Sequence, residues 1–142
     1  MNHRLTGKCH CGNVAVTFET PTDPKVLQLR ACDCSFCRKH SGLTVSDPKG
    51  KLVFSTADPA KLTRYRFGTR TADFLLCADC GVYLGVLMDL DGHGYGVLNV
   101  NVLDDWTPFN RPPEPTHLDG EAVGDRLARR KGRWTPARVV QG

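Results

Sequence analysis

The chain has 142 residues, 40% hydrophobic and 24% charged, the size and balance of one folded domain, which excludes a disordered or fibrous protein. Its longest mostly apolar run, Gly81 to Leu90, is about half of the roughly 20 residues a membrane helix needs, so a spanning helix is excluded as well. The formal charge of +4 falls to +1 if all seven cysteines are thiolates and two divalent ions enter, so charge argues only weakly for a nucleic-acid partner.

Strand signals dominate the chain. Val14, Val16 and Phe18 alternate with smaller or more polar neighbours, and after the turn-forming Pro21-Thr22-Asp23-Pro24 the pattern returns at Leu27 and Leu29. One helical turn is expected after Cys34. Asp47-Pro48-Lys49-Gly50 predicts a turn into a short buried strand at Leu52-Val53-Phe54. Thr63, Tyr65 and Phe67 alternate up to the turn at Phe67-Gly68-Thr69, and Phe74-Leu75-Leu76 fits another buried strand. Val82, Leu84, Val86 and Met88 share one face of a period-two run, and Leu98, Val100 and Val102 do the same beyond the turn at Asp91-Gly92-His93-Gly94. Pro108 to Pro115 predicts an extended surface crossing, and Asp125 to Lys131 a short helix. Basic residues crowd near that helix, at Arg126, Arg129, Arg130, Lys131, Arg133 and Arg138; a solvated face is the expected role, with a polyanion patch as the alternative. About eight short strands with little helix predict an antiparallel all-β domain.

The seven cysteines fall into three clusters, Cys9-His10-Cys11, Cys32-Asp33-Cys34-Ser35-Phe36-Cys37 and Cys77-Ala78-Asp79-Cys80. The N-terminal Met-Asn-His-Arg-Leu-Thr-Gly has no apolar export signal, so a reducing cytoplasm is the expected compartment. Disulfides are disfavoured by that compartment, by the odd count and by the strain of a ring closed across one residue. A redox pair at Cys34/Cys37 or Cys77/Cys80 leaves the C-x-C pairs unexplained, whereas metal explains all seven. Cys32, Cys34 and Cys37 lie close enough for a local turn to aim three sulfurs at one ion. The pairs Cys9/Cys11 and Cys77/Cys80 must then combine across a long stretch of chain, clamping distant segments together. Gly12 and Gly81, each just after a pair, suit turns whose amides donate to metal-bound sulfur. The four-cysteine site is expected to be closed and structural and the three-cysteine site to keep an open position, with two zinc ions per chain. His10, His40, His93 or His117 could instead close the second site, His40 being the best placed.

At these clusters the sequence resembles the glutathione-dependent formaldehyde-activating enzyme family, which includes the centromere-protein-V-like proteins. The residues that carry the resemblance are Gly7-Lys8-Cys9-His10-Cys11-Gly12-Asn13-Val14, Cys32 to Lys39 with Gly42, Cys77-Ala78-Asp79-Cys80-Gly81, and Asn99 to Asp105. Leu76 stands where the family usually has an aromatic residue. The resemblance spans about 5–106 and implies a zinc-stapled β-tent of the Mss4-like type, one domain over 1–142 with a C-terminal extension at 107–142. It implies structural zinc at Cys9, Cys11, Cys77 and Cys80 and catalytic zinc at Cys32, Cys34 and Cys37. It further implies a carbon–sulfur lyase acting on glutathione and an aldehyde, as in S-(hydroxymethyl)glutathione synthase.

The chemistry agrees with that implication. Three thiolates on Zn²⁺ make a net −1 centre, poorly suited to generating hydroxide but well suited to holding an incoming thiol as thiolate. Arg38 and Lys39 could attract a glutathione carboxylate or be plain helix-surface charges, and Ser35 could support the cluster or serve as a turn residue. A non-enzymatic thiol carrier and a zinc-stabilised interaction module are the alternatives to an enzyme. The oligomeric state is left open by the sequence.

Overall fold

The computed structural model describes residues 2–118 and 120–142. In chain order its strands are β1 (His3–Lys8), β2 (Val14–Thr20), β3 (Arg30–Cys32), β4 (Thr44–Val45), β5 (Lys51–Thr56), β6 (Leu62–Tyr65), β7 (Asp73–Cys77), β8 (Tyr83–Leu90), β9 (His93–Asn99), β10 (Glu114–Thr116) and β11 (Thr135–Gln141). Two α-helices, α1 (Ser35–His40) and α2 (Val123–Arg133), complete the regular structure with four short 3₁₀ turns. The fold is mostly β with little helix, and no described helix is long and apolar enough to cross a membrane.

All eleven strands belong to one branched sheet. Its main path runs β1-β2-β5-β11-β9-β4-β3-β10. One edge of β9 is taken by β8, which continues to β7 and β6; the other edge is shared by β11 at Tyr95–Gly96 and β4 at Leu98–Asn99. The sheet therefore has two wings, β1-β2-β5 and β6-β7-β8, joined through β9 and β11. The expected antiparallel β domain is present, with eleven strands among the described residues where about eight were expected; two pairings are parallel, β11 with β5 and β10 with β3. Parallel partners far apart in sequence leave no local turn signal, which is why β10 and β11 escape pattern reading. Leu27 and Leu29 are buried but not in a strand, because Pro24 opens a 3₁₀ turn over Pro24–Val26 and extended pairing begins at Arg30.

The core has two parts. Val14, Val16 and Phe18 of β2, Leu52 and Phe54 of β5, and Leu75, Leu84 and Leu98 form the larger; Tyr83, Val86, Met88, Val97 and Trp134 form the smaller. The predicted common face of Val82, Leu84, Val86 and Met88 divides between them. A register shift pairs Leu75 with Gly85 and Leu76 with Tyr83, leaving Leu84 as the extra residue of a bulge. Leu84 thus joins the larger core, while Tyr83 turns to the other side with Val86 and Met88. Gly85 accommodates the close packing this requires: a Cβ there would lie 2.3 Å from the Val97 carbonyl oxygen and 2.9 Å from the Phe54 ring.

One buried polar node ties three elements to the core. Asp47 accepts hydrogen bonds from the hydroxyls of Thr20 at 2.6 Å and Thr22 at 2.8 Å and from the Lys49 amide at 2.9 Å. Its own amide donates to Thr135 Oγ1 at 2.8 Å. Burial raises its pKa, but the donors from Thr20, Lys49 and Thr22 win, and the net shift is downward. Asp47→Ala leaves the Thr20 hydroxyl buried without its acceptor and is expected to cost about 2–3 kcal/mol in urea unfolding at neutral pH. Because the folded pKa is lowered, that difference is full above the ordinary carboxylate range. It disappears as the pH falls through the folded pKa, which unfolding curves of both proteins at stepped pH would check.

Candidate functional site

Two groups of sulfurs converge, and they are the groups the sequence spacing predicts. The Sγ atoms of Cys9, Cys11, Cys77 and Cys80 all lie within 4.8 Å of one another, as do those of Cys32, Cys34 and Cys37. In the first group Cys11 Sγ stands 3.7 Å from Cys9 Sγ and 3.5 Å from Cys77 Sγ, so the β1–β2 turn meets the β7–β8 turn. Gly12 and Gly81 hold φ of +88° and +78°, the left-handed conformation that lets each turn wrap its sulfurs. The Val14 amide donates to Cys9 Sγ at 3.3 Å. Burial pushes the Cys80 thiol up, but donation from the Cys11 and Val82 amides and from neighbouring thiols brings it down to about 6. Asn13 reinforces the join, accepting from the Asp58 amide at 2.8 Å and donating to the Asp58 carbonyl at 3.2 Å.

The second group forms because Cys34 caps α1: its Sγ accepts from the Cys37 amide at 3.4 Å. The helix ends at Ser41, whose left-handed conformation lets the Gly42 amide reach the Cys37 carbonyl at 3.0 Å. Cys32 arrives from β3, where pairing with β10 and the Asp33 amide bond to the Thr116 carbonyl at 3.0 Å fix its position. Hydrogen bonds from Cys32 and then Cys37 hold the Cys34 thiol down near 2, while the same sharing pushes Cys37 up. The donor sets fit a thiophilic ion: four sulfurs complete a tetrahedron and three leave one position.

Among the described residues no histidine or carboxylate joins the three sulfurs. His40, the best sequence candidate, stacks on Phe36 with centroids 4.3 Å apart, and His117 Nδ1 meets Asp33 Oδ2 at 2.8 Å. Arg38 and Lys39 are exposed in the last turn of α1, where they complement the helix end, and they are not among the residues lining the adjacent cavity. Ser35 does line it.

That cavity, ≈ 580 Å³, is bordered by Cys32, Cys34 and Cys37. Its apolar wall includes Phe67, Phe74, Tyr83, Val86 and Trp134. Tyr83 is 3% exposed, and its hydroxyl has no hydrogen-bond partner among the described residues. Burial first, then the nearby sulfurs of Cys37, Cys34 and Cys32, push its pKa well up, so it remains a proton-bearing donor. The lining is also basic, with Arg30 of β3 and Arg126, Arg129, Arg130 and Arg133 of α2. The expectation of a merely solvated face on α2 is thereby corrected, since these four arginines at helical spacing turn toward the cavity and Arg130 is only 6% exposed. Sequence reasoning missed the Tyr83 placement, which depends on the bulge, and the role of Arg30, which lies outside every motif.

The family model described as glutathione-dependent formaldehyde-activating enzyme matches residues 4–117. A crystal structure of a Rhodobacter sphaeroides protein superposes with a TM-score of 0.56 at 30% identity, covering 78% of this chain and 99% of that one. The chain belongs to the glutathione-dependent formaldehyde-activating enzyme family.

Phe36 connects the three-cysteine turn to the sheet, packing on Phe74 with centroids 4.6 Å apart and on Tyr83 at 5.0 Å. Phe36→Ala is expected to loosen α1 without opening the four-cysteine cluster. Timed alkylation followed by peptide mass spectrometry should show Cys32, Cys34 and Cys37 reacting faster than in the unmodified protein, with Cys9 and Cys77 unchanged.

Proposed function

We propose that this protein is a zinc-dependent carbon–sulfur lyase that joins a small thiol to an aldehyde and splits the adduct, with Cys32, Cys34 and Cys37 holding the active zinc. Cys9, Cys11, Cys77 and Cys80 hold a second, structural zinc, giving two ions per chain, and the protein works in the reducing cytoplasm. The observation that carries the reading is the three-sulfur cluster at the border of a large cavity, with no fourth protein ligand among the described residues.

When bound there, zinc supplies an electrophilic centre that keeps an entering thiol deprotonated at neutral pH. The protein does the rest. The Cys37 amide donates to the Cys34 sulfur and helps hold it as a thiolate. Phe67, Phe74 and Val86 exclude water from one side of the cavity, which favours addition of sulfur over hydration of the aldehyde. In the forward direction the substrate sulfur forms a bond to the carbonyl carbon, the C=O π pair moves onto oxygen, and that oxygen takes up the proton the thiol released. The buried Tyr83, which borders the cavity beside Cys37, would donate a hydrogen bond to that oxygen. Proximity within the cavity supplies much of the rate advantage.

Two outcomes test this reading. Cys80→Ser is expected to abolish folding or sharply lower Tm, because its cluster holds the two wings together, whereas Cys34→Ser keeps the fold and binds one zinc instead of two. Metal analysis with melting curves checks this, and equal loss of fold in both variants would remove the division of roles. Exchange spectroscopy at equilibrium then separates catalysis from mere binding. Substoichiometric protein should speed interconversion of a thiol and its formaldehyde adduct, and Cys34→Ser should not; binding without acceleration would make the protein a thiol carrier.

A further inference from the structure

The sulfurs account for part of the cavity lining and leave its arginines unexplained. Glu121 neutralises part of their charge: both its carboxylate oxygens accept from Arg129, at 3.0 and 3.1 Å, and Arg126 approaches to 3.5 Å. Arg30, Arg130 and Arg133 have no carboxylate partner among the described residues. Arg30 donates to the Ser46 hydroxyl at 2.7 Å, and Arg130 to the Thr71 hydroxyl at 2.8 Å. Arg130 lies 4.7 Å over the Trp134 ring, and its Nε has no partner among the described residues. A guanidinium this buried, hydrogen-bonded only to neutral groups and with Glu121 engaged by Arg129, is costly to the free protein. It is offset when an anion enters.

The kind of anion follows from the arrangement. Residues 126, 129, 130 and 133 occupy one face of two turns of helix, so their charges concentrate on a single wall with Arg30 beside them. Glutathione carries its two carboxylates at opposite ends of the tripeptide, with the thiol between. It would call for cations on both flanks of the sulfur cluster, yet Arg38 and Lys39 on the α1 side lie outside the cavity lining. One wall of guanidinium forks suits one compact group with several oxygens, each fork able to bind two of them. This wall also lies almost wholly beyond the matched family region: α2 begins at Val123, and the match ends at residue 117.

We infer that the wall formed by Arg30, Arg130 and Arg133 is a phosphate-binding subsite, and that the thiol received by this cavity carries a phosphate ester. This specifies the substrate class for the lyase reading and rests on it for the thiol, whereas the phosphate subsite stands on the arginines alone. The phosphate is held by these arginines while the sulfur reaches Cys32, Cys34 and Cys37, which line the same cavity.

Pantetheine 4′-phosphate and pantetheine form a matched pair of probes, the same thiol with and without the ester. In calorimetry with the zinc-loaded protein, the phosphorylated thiol is expected to bind at least about tenfold more tightly than either pantetheine or glutathione, and to weaken as salt rises. Arg130→Gln should erase the preference. Should that variant fold poorly, Arg133→Glu, at an exposed position, should reduce it while circular dichroism stays unchanged. Equal binding of the matched pair, or tighter binding of glutathione than of the phosphorylated thiol, would overturn the subsite. Cobalt-substituted protein reports the thiol separately. Phosphate-dependent binding that depends on Arg130 but leaves the cobalt–thiolate band unmoved would confirm the subsite and count against the lyase reading of the cluster.

Discussion

Two sheet wings that share no direct strand pairing are joined through β9, β11 and a common core, and their turns meet where Cys9 and Cys11 face Cys77 and Cys80. Four sulfurs within 4.8 Å cannot all be thiolates without a cation among them, since unscreened like charges at that separation repel by several kcal/mol. A tetrahedral ion bound there would convert this repulsion into the join itself. The flanking contacts, Asn13 with Asp58 and the Ala78 amide with the Lys61 carbonyl at 2.8 Å, align the turns but are exposed and neutral. They position what the sulfurs must fasten.

The three-cysteine cluster depends on that join at one remove. Its third neighbour is Tyr83, which starts β8 three residues after Cys80, and the bulge at Leu84 sets which way Tyr83 faces. Phe36, Phe74 and Tyr83 then form a ring cluster that holds α1 against the sheet. A change at the closed cluster would therefore reach the open one through β8. The reverse path is weak, because α1 is only six residues long and sits at the rim. Connectivity and cavity access are separated by this asymmetry: the cluster that joins distant segments is not the one that lines the cavity.

What was legible in the sequence was whatever is local. The C-x-C and C-x-x-C spacings announced both sulfur groups, because a turn's geometry needs only neighbours. The alternation at Val14, Val16 and Phe18 announced β2 for the same reason. What escaped was set by contacts between distant residues. Leu84 looks like any other apolar position of a period-two run, and only the pairing with β7 makes it the bulged residue. β11 has Pro136 near its start and charged Arg138 within it, a weak strand signal overridden by pairing with both β5 and β9. Arg126, Arg129, Arg130 and Arg133 were visible as a basic stripe, but a stripe does not say which way it faces. Trp134 and Thr135, buried directly after the helix, decide that by anchoring its end in the core.

That anchoring also bears on how the cavity can discriminate between ligands. The bond-making chemistry proposed for the cluster would demand that the sulfurs and Tyr83 be placed to within a fraction of an ångström, and they sit on paired strands and a capped helix. Selection among anionic thiols demands less: charge of the right sign on a surface of the right shape. α2 supplies it from outside the sulfur-bearing segments, yet with little freedom of its own, since β11 follows it into the sheet between β5 and β9. The Arg130 guanidinium, lying over Trp134 and held by Thr71, is ordered before any ligand arrives. Less side-chain entropy is then lost on binding, and the repulsion among the arginines, already built into the fold, is relieved by the incoming anion. The same helix that destabilises the free protein electrostatically thus raises its affinity for the ligand that neutralises it.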